Sequence, residues 1–244
     1  MVDTSTLERL VPDELLGNEA TGAETYRLHF ERYEFAAGKL EAARSVLDIA
    51  CGVGYGSRLL KDRLPAATIT GVDVCDEAID YARTRYGTES LSFVLADAMS
   101  FEAGPFDAVI SLETIEHLPH PDAFIETIAT RLLRPGGIFI GSVPVTPSMD
   151  ANPHHLHDFT ARSFRSLLET RGLREFDSLF QSQPYSPMAV ATRTETRMAA
   201  MRRNILAYYC RHPDKALLRA KSIIADGFCN KYLTIAAKSA AAGA

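Results

Sequence analysis

The stretch Val46-Leu47-Asp48-Ile49-Ala50-Cys51-Gly52-Val53-Gly54-Tyr55-Gly56 decides the fold. An apolar run ends at an acidic residue, and three glycines then alternate. Ser45 to Ile49 has the continuous apolar character of a strand buried in a parallel sheet. The glycines permit positive φ and let a ligand come close to the main chain. Ser57 to Arg63 reads as the start of a helix, which places that ligand at a helix N-terminus.

Working outward, the same unit repeats. Thr68 to Val72 reads as a second strand closed by Asp73, followed by a helix from Asp76 to Arg85 with Asp76 as its N-cap. Leu91 to Leu95 is a third strand, followed by Ala96-Asp97-Ala98. Phe106 to Ile110 is a fourth, running into Ser111-Leu112-Glu113-Thr114-Ile115-Glu116-His117-Leu118. A helix over 121–133 leads to the turn Leu133-Arg134-Pro135-Gly136-Gly137 and a fifth strand, Ile138 to Ser142. A loop rich in Pro and His spans Val143 to Phe159. Thr160 to Arg171 reads as a helix, Arg174 to Gln181 as strand six, and Lys231 to Lys238 as strand seven. Alternating strands and helices predict an α/β fold with a largely parallel sheet. Upstream, Glu24 to Leu40 reads as an amphipathic helix.

The whole chain sets outer limits. Its 244 residues suit one α/β domain with additions. A net charge of −5 argues against general nucleic-acid affinity. No apolar run is long enough to cross a membrane, and Met1 to Arg9 lacks a signal-peptide core. The four cysteines (Cys51, Cys75, Cys210, Cys229) show no paired spacing. These features read as a reduced, cytoplasmic protein. Between strands six and seven, Arg193 to Lys221 reads as helix with excess base: Arg193, Arg197, Arg202, Arg203, Arg211, Lys215, Arg219 and Lys221 against Glu195 and Asp214. A solvated face, a lid over the substrate or a homodimer contact would each account for it.

Two ligands suit the glycine loop. A dinucleotide wants G-x-G-x-x-G, but the third glycine of that spacing falls on Ser57. The other pattern, acidic-x-x-x-Gly-x-Gly-x-Gly, resembles motif I of class I S-adenosylmethionine (SAM) methyltransferases. The run "FDAVISLETIEHL…LLRPGGIFIGSVP" resembles motifs IV to VI of that family, and the resemblance covers roughly residues 26–180. It implies a Rossmann-like seven-stranded sheet of order 3-2-1-4-5-7-6 with strand seven antiparallel. The expected layout is an N-terminal helical cap (1–40), a SAM-binding core (41–185), a helical lid or dimerisation insertion (186–228), and a final edge strand and tail (229–244). It implies SAM as cofactor, held by Tyr33, Asp48, Gly52, Gly54, Asp73, Val74, Asp97, Ala98, Leu112 and His117. Asp73 would take the ribose hydroxyls and Asp97 the adenine amino group. His29, Arg32 and Tyr33 match a His-x-x-Arg-Tyr segment that contacts the cofactor's carboxylate in many members.

Glu113, Glu116 and His117 lie just past strand four, and one helical turn separates the two carboxylates. The loop after strand five adds His154, His155 and His157. Mixed oxygen and nitrogen donors suit Mg²⁺ or Mn²⁺. The Glu-x-x-Glu-His pattern resembles small-RNA 3′-terminal 2′-O-methyltransferases, where such residues hold Mg²⁺, and ubiquinone-pathway O-methyltransferases. That resemblance implies Glu113, Glu116, His117 and His155 as metal ligands, with His154 or His157 as alternatives to His155. His154, His157 and Glu113 are the candidate catalytic groups. The other reading is a purely organic site, because Glu-His after strand four is widespread among methyltransferases without metal.

A hydroxyl barely ionises at neutral pH, so the site must align it with the sulfonium methyl and take its proton. The opening "YRLHFERYEFAA…DIACGVGYGS" resembles compact enzymes of glycan and antibiotic-sugar pathways. The expectation is therefore an O-methyltransferase acting on a sugar or polysaccharide hydroxyl, for example a mannoside. Alternatives are a small aromatic, quinone or antibiotic intermediate, an RNA 2′-hydroxyl, or a SAM-binding regulator without turnover. Partners would be a small-molecule or oligosaccharide acceptor, with nucleic acid and membrane disfavoured.

Overall fold

A computed structural model describes residues 20–192, 201–202 and 204–240. Helix α1 (Ala20–Lys39) precedes β1 (Ser45–Ile49), α2 (Tyr55–Arg63), β2 (Thr68–Asp73), α3 (Asp76–Tyr86) and β3 (Leu91–Leu95). Then come β4 (Phe106–Leu112), a short 3₁₀ turn (Ile115–His117), α4 (Pro121–Thr127), β5 (Leu133–Pro144), α5 (Ala161–Glu169) and β6 (Leu173–Pro184). Helices α6 (Pro187–Thr192), α7 (Ile205–Arg211) and α8 (Pro213–Asp226) lead to β7 (Cys229–Ser239). The seven strands form one sheet of order β3-β2-β1-β4-β5-β7-β6. β7 runs antiparallel to both of its neighbours, and the remaining pairings are parallel. The expected order and direction both hold. β7 is an interior strand, however, and β6 is the edge.

Two apolar layers follow from the alternation of side chains across each strand. One face carries Val46, Ile69, Ala108, Ile110 and Ile140, covered by Tyr33, Ala36 and Leu40 of α1, Leu60 of α2 and Ile79 of α3. The other carries Leu47, Val72, Val109, Phe139 and Ile235, covered by Phe124 and Ile125 of α4 and Phe164 and Leu168 of α5. Helix α1 is thus a packed layer of the sheet, and the expected N-terminal cap is integral to the core over its described part. Residues 1–19 of that cap lie outside the described residues.

Several boundaries differ from the sequence reading. Helix α2 starts at Tyr55, two residues early, because Gly54 at φ 80° supplies the turn into it. Asp76 is not the cap of α3: Cys75 holds that position, and Asp76 lies in the first turn. The helix expected over 121–133 loosens after Thr127 into a π turn over Ile128–Leu132. The glycine turn before strand five sits inside β5: Phe106 pairs with Leu133 and Ala108 with Ile138, so residues 134–137 bulge out. The basic run is not one helix among the described residues. It comprises α7 and α8, separated at His212 ahead of Pro213, where the proline ring and missing N–H stop a helix from continuing. Arg193, Arg197 and Arg203 lie outside the described residues.

Candidate active site

The parallel strands point their C-terminal ends to one edge, where ligands bind in open α/β sheets. Asp48, near the end of β1, is 1% exposed. Its Oδ2 accepts a hydrogen bond from Ser57 Oγ at 2.6 Å, and both oxygens lie 3.3 Å from the Tyr33 hydroxyl. Burial raises the carboxyl to about 6, against those two bonds, which pull it down. Gly52 and Gly54 adopt φ of 56° and 80°. Gly56 has another reason to lack a side chain: a Cβ there would sit 1.9 Å from the Tyr33 ring. Tyr33 therefore supports the loop from behind, through Asp48 and Gly56.

Asp73 closes β2 and ties the loop down. Its Oδ2 accepts from Gly52 N at 2.8 Å and its Oδ1 from Cys75 N at 3.0 Å. Val74 beside it is 63% exposed, an apolar face next to a polar one. The Ala96 amide bonds to the Asp73 carbonyl, which brings the turn after β3 alongside. Asp97 is exposed there, its Oδ1 accepting from Met99 N at 2.9 Å. Leu112 ends β4 and is buried. The expected cofactor residues Asp48, Gly52, Gly54, Asp73, Val74, Asp97, Ala98 and Leu112 thus lie on loops and strand ends along one edge.

Past β4 the chain turns sharply at Glu113, which has φ 49° without being glycine. Its amide faces Ser142, 3.0 Å from Oγ, and its Oε1 accepts from Ser142 Oγ at 2.7 Å. Arg32 Nη1 lies 3.6 Å from the same oxygen. Arg32 is 1% exposed: its Nε donates to Gln181 at 2.8 Å, and its guanidinium stands 4.5 Å over the Tyr232 ring. The expected convergence of Glu113 with Glu116 is not what forms. The left-handed turn directs Glu113 toward Ser142 and Arg32, while Glu116 belongs to the 3₁₀ turn that follows.

Glu116, His117 and His155 do come together. One donor atom from each lies within 4.8 Å of the others. Glu116 is fully buried, and the two imidazoles meet edge to face at 4.6 Å. Nδ1 of His117 faces the His154 carbonyl at 3.2 Å. A carbonyl only accepts, so Nδ1 carries a proton, and in the neutral ring Nε2 has the lone pair. Nδ1 of His155 bonds to Ser148 Oγ at 2.7 Å. Burial, helped by His117, pushes the His155 imidazole down to about 3, so it is neutral at physiological pH. A buried carboxylate and two imidazoles oriented by oxygen partners on Nδ1 are a donor set that a divalent ion accepts. Of the four expected ligands, Glu113 stands apart from the group.

His154 offers its carbonyl to this cluster, and its side chain is exposed. His157 is half-buried, with Nε2 3.0 Å from the Leu118 carbonyl. By the same argument Nε2 carries a proton, and in the neutral ring Nδ1 has the lone pair. The amides of Leu156 and His157 both bond to the Glu116 carbonyl, at 2.8 and 3.2 Å, and so pin the histidine loop across the end of β4. Sequence reasoning missed Ser57, Ser142, Gln181, Asp150 and Asp158. Only the last two left a signal: acidic residues in the histidine loop, opposite a later basic stretch.

Residues 47–141 match the family model described as "Methyltransferase domain". A Mycolicibacterium smegmatis protein named "Probable S-adenosylmethionine-dependent methyltransferase" is 31% identical over 159 residues, covering 62% of this chain and 61% of the relative. The fatty-acid O-methyltransferase of the same organism is 34% identical over 120 residues, covering 48% and 43%. The chain thus spans 61% and 43% of these relatives' lengths. Among solved structures, the StiE O-MT (residues 942–1257) superposes with a TM-score of 0.62 at 17% identity, covering 96% of this chain and 84% of that one. At that identity the likeness speaks for the fold alone. Among the described residues, no helix is long and apolar enough to cross a membrane.

Proposed function

We propose, starting from the methyltransferase domain that residues 47–141 form, that the chain transfers the methyl group of SAM to an oxygen acceptor. The acceptor we propose is a sugar or polysaccharide hydroxyl, held with the help of Mg²⁺ or Mn²⁺. The observation that carries the reading is one of placement. A glycine loop braced by Asp48 and Asp73 lies at the same sheet edge as the Glu116–His117–His155 group.

In this reading the loop amides, Asp73 and Val74 take the ribose side of the cofactor, and Asp97 and Ala98 take the base. Leu112 and Glu113 border the reacting carbon at the end of β4. Glu116, His117 and His155 would hold the divalent ion. Such an ion supplies a Lewis acid that lowers the pKa of a coordinated hydroxyl. The methyl carbon–sulfur bond breaks with its electron pair going to sulfur, a carbon–oxygen bond forms, and the hydroxyl proton leaves. Nδ1 of His157 receives that proton, and His154 is the second candidate. Glu113, fixed by Ser142 and Arg32, places a negative charge near the sulfonium. Alignment of the reactants is worth roughly 7–11 kcal/mol, and a placed base about 10²–10⁴-fold.

The named relative that methylates fatty acids favours a second reading, a carboxylate acceptor. A carboxylate is already ionised at neutral pH, so it needs neither base nor metal. The test follows from that difference. Tritium transfer from labelled SAM is measured on mannosides, a catechol and a fatty acid, with and without EDTA. Sugar transfer that EDTA abolishes and Mg²⁺ restores supports the proposal. Transfer to the fatty acid alone, indifferent to EDTA and to His157→Ala, selects the second reading. Absence of S-adenosylhomocysteine binding sinks both.

A further inference from the structure

The histidine loop, residues 145–159, is closed by its own acidic residues, and each of them is held from the insertion between β6 and β7. Asp150 is 1% exposed. Arg219 of α8 grips it with Nη2 on Oδ1 at 2.6 Å and Nε on Oδ2 at 2.8 Å, and Nη2 also donates to the Pro147 carbonyl at 2.6 Å. The Tyr209 hydroxyl of α7 adds a bond to Asp150 Oδ2 at 2.6 Å. Arg202 donates to the carbonyls of Asp150 and Met149, and its amide to that of Ala151.

At the loop's other end, Asp158 Oδ1 accepts from the amides of Ser148 and Met149, at 2.8 and 3.0 Å. Its Oδ2 accepts from Lys215 Nζ of α8 at 2.7 Å. Burial, the largest single effect, would raise both carboxyls, but the bonds taken together, from Arg219, Tyr209 and the Ala151 amide on Asp150 and from Lys215 and the Met149 and Ser148 amides on Asp158, hold them below the ordinary range. Ser148, fixed in this way, is the partner of His155 Nδ1.

We propose that Arg219 and Lys215 are positioning residues: α7 and α8 form a latch that holds the histidine loop in the shape that brings His155 to Glu116 and His117. The inference rests on the active site proposed above. Physically, a bidentate arginine on a buried carboxylate is a rigid fork. Its loss leaves a buried charge without its cation, and that charge is relieved by moving Asp150 toward water or by taking up a proton, which gives up the fork in either case. The shift reaches His155 because the amides of Ala151 and Asn152 both bond to the Ser148 carbonyl, the His155 amide bonds to the Asn152 carbonyl, and Ser148 Oγ is the partner of His155 Nδ1.

Hydrogen exchange on the full-length protein, its Arg219→Met variant and its Lys215→Met variant tests this. In Arg219→Met, the Leu156 and His157 amides, which bond to the Glu116 carbonyl, should exchange at least about 10-fold faster, while β1 and β4 stay protected. Mn²⁺ affinity should fall several-fold and S-adenosylhomocysteine affinity stay within about 2-fold. Faster exchange in α7 and α8 with Leu156 and His157 unchanged overturns the latch, and so does a uniform rise over the whole chain, the mark of a merely structural pair. If Arg219→Met does not fold, Lys215→Met decides: the Ser148 and Met149 amides must exchange faster, and unchanged rates overturn the proposal. A wild-type protein that binds S-adenosylhomocysteine but not Mn²⁺ removes the metal from the proposed function, and the exchange data still judge the latch.

Discussion

Ser57 Oγ donates to Asp48 Oδ2 at 2.6 Å inside the protein, with both residues at most 1% exposed. The residue that breaks a dinucleotide fingerprint at its third glycine is therefore the one that holds the loop's acidic residue. Ser57→Ala removes a bond to a charged group, and the expected cost is about 1.5–3 kcal/mol. Urea unfolding measures it. Calorimetry with S-adenosylhomocysteine should show weaker binding in the same variant.

Asp48 gives a pH signature. Its folded carboxyl titrates near 6, against an ordinary value of 3.8, so the folded state keeps the proton over a range where the unfolded chain has lost it. Stability from this group is fully present below about pH 4 and is lost as pH rises through 6. The two-unit difference corresponds to about 3 kcal/mol. Asp48→Asn lacks this slope, so the stability gap between wild type and variant should shift in the variant's favour from pH 4 to 6. A gap constant across that window refutes the assignment.

Gly56→Ala places a Cβ against the Tyr33 ring. Overpacking of that kind costs about 1–3 kcal/mol. Thermal unfolding should show the loss, and Tyr33→Leu in the same chain should recover part of it, since that change clears the space.

Glu113 and Glu116 should separate in metal titrations. Mn²⁺ affinity should fall about 10–100-fold or more in Glu116→Ala and His155→Ala. In Glu113→Ala it should change little, because that carboxylate is turned to Ser142 and Arg32. Methyl transfer should still fall in Glu113→Ala. Equal effects of both Glu variants on Mn²⁺ contradict the separation.

Asp150→Asn should destabilise by about 3–5 kcal/mol near neutral pH, the cost of breaking a buried pair. The Asp150 carboxyl lies below its ordinary range, so its contribution is present above about pH 4 and is lost as pH falls through the lowered value. The variant and wild type should therefore converge in acid.

The sheet was legible because local rules and tertiary context agree along its length. Ser45–Ile49 is a buried parallel strand, and its apolar run says so without help from neighbours. Leu91–Leu95, at the outer edge of the sheet, was legible from its apolar residues although only Leu91 and Phe93 are buried. Asp48, Asp73 and Asp97 were readable because each follows from a strand end. Glu113 was not. Helical periodicity paired it with Glu116, but its left-handed backbone depends on Ser142, a residue 29 positions away on β5. Tyr33 and Arg32 were placed on the right helix, yet their contacts lie on β1, the turn after β4, β6 and β7, which periodicity in α1 cannot name. The helical run before β7 was visible as composition, but its break at Pro213 was passed over, because the run was read as one helix. What its cations meet was hidden, since Asp150 and Asp158 sit more than fifty residues upstream of Lys215 and Arg219.

β7 sits between β5 and β6, and β6 has no other strand to lean on. During synthesis, five parallel strands and the glycine loop can assemble while the insertion is still being made. The pocket around the Arg32 guanidinium cannot, because Tyr232 arrives on β7 and Gln181 waits on an unpaired β6. The half of the molecule proposed to receive the nucleoside can thus mature before the half that steadies Glu113. A nascent chain arrested just short of β7 would be expected to grip its cofactor and yet turn nothing over.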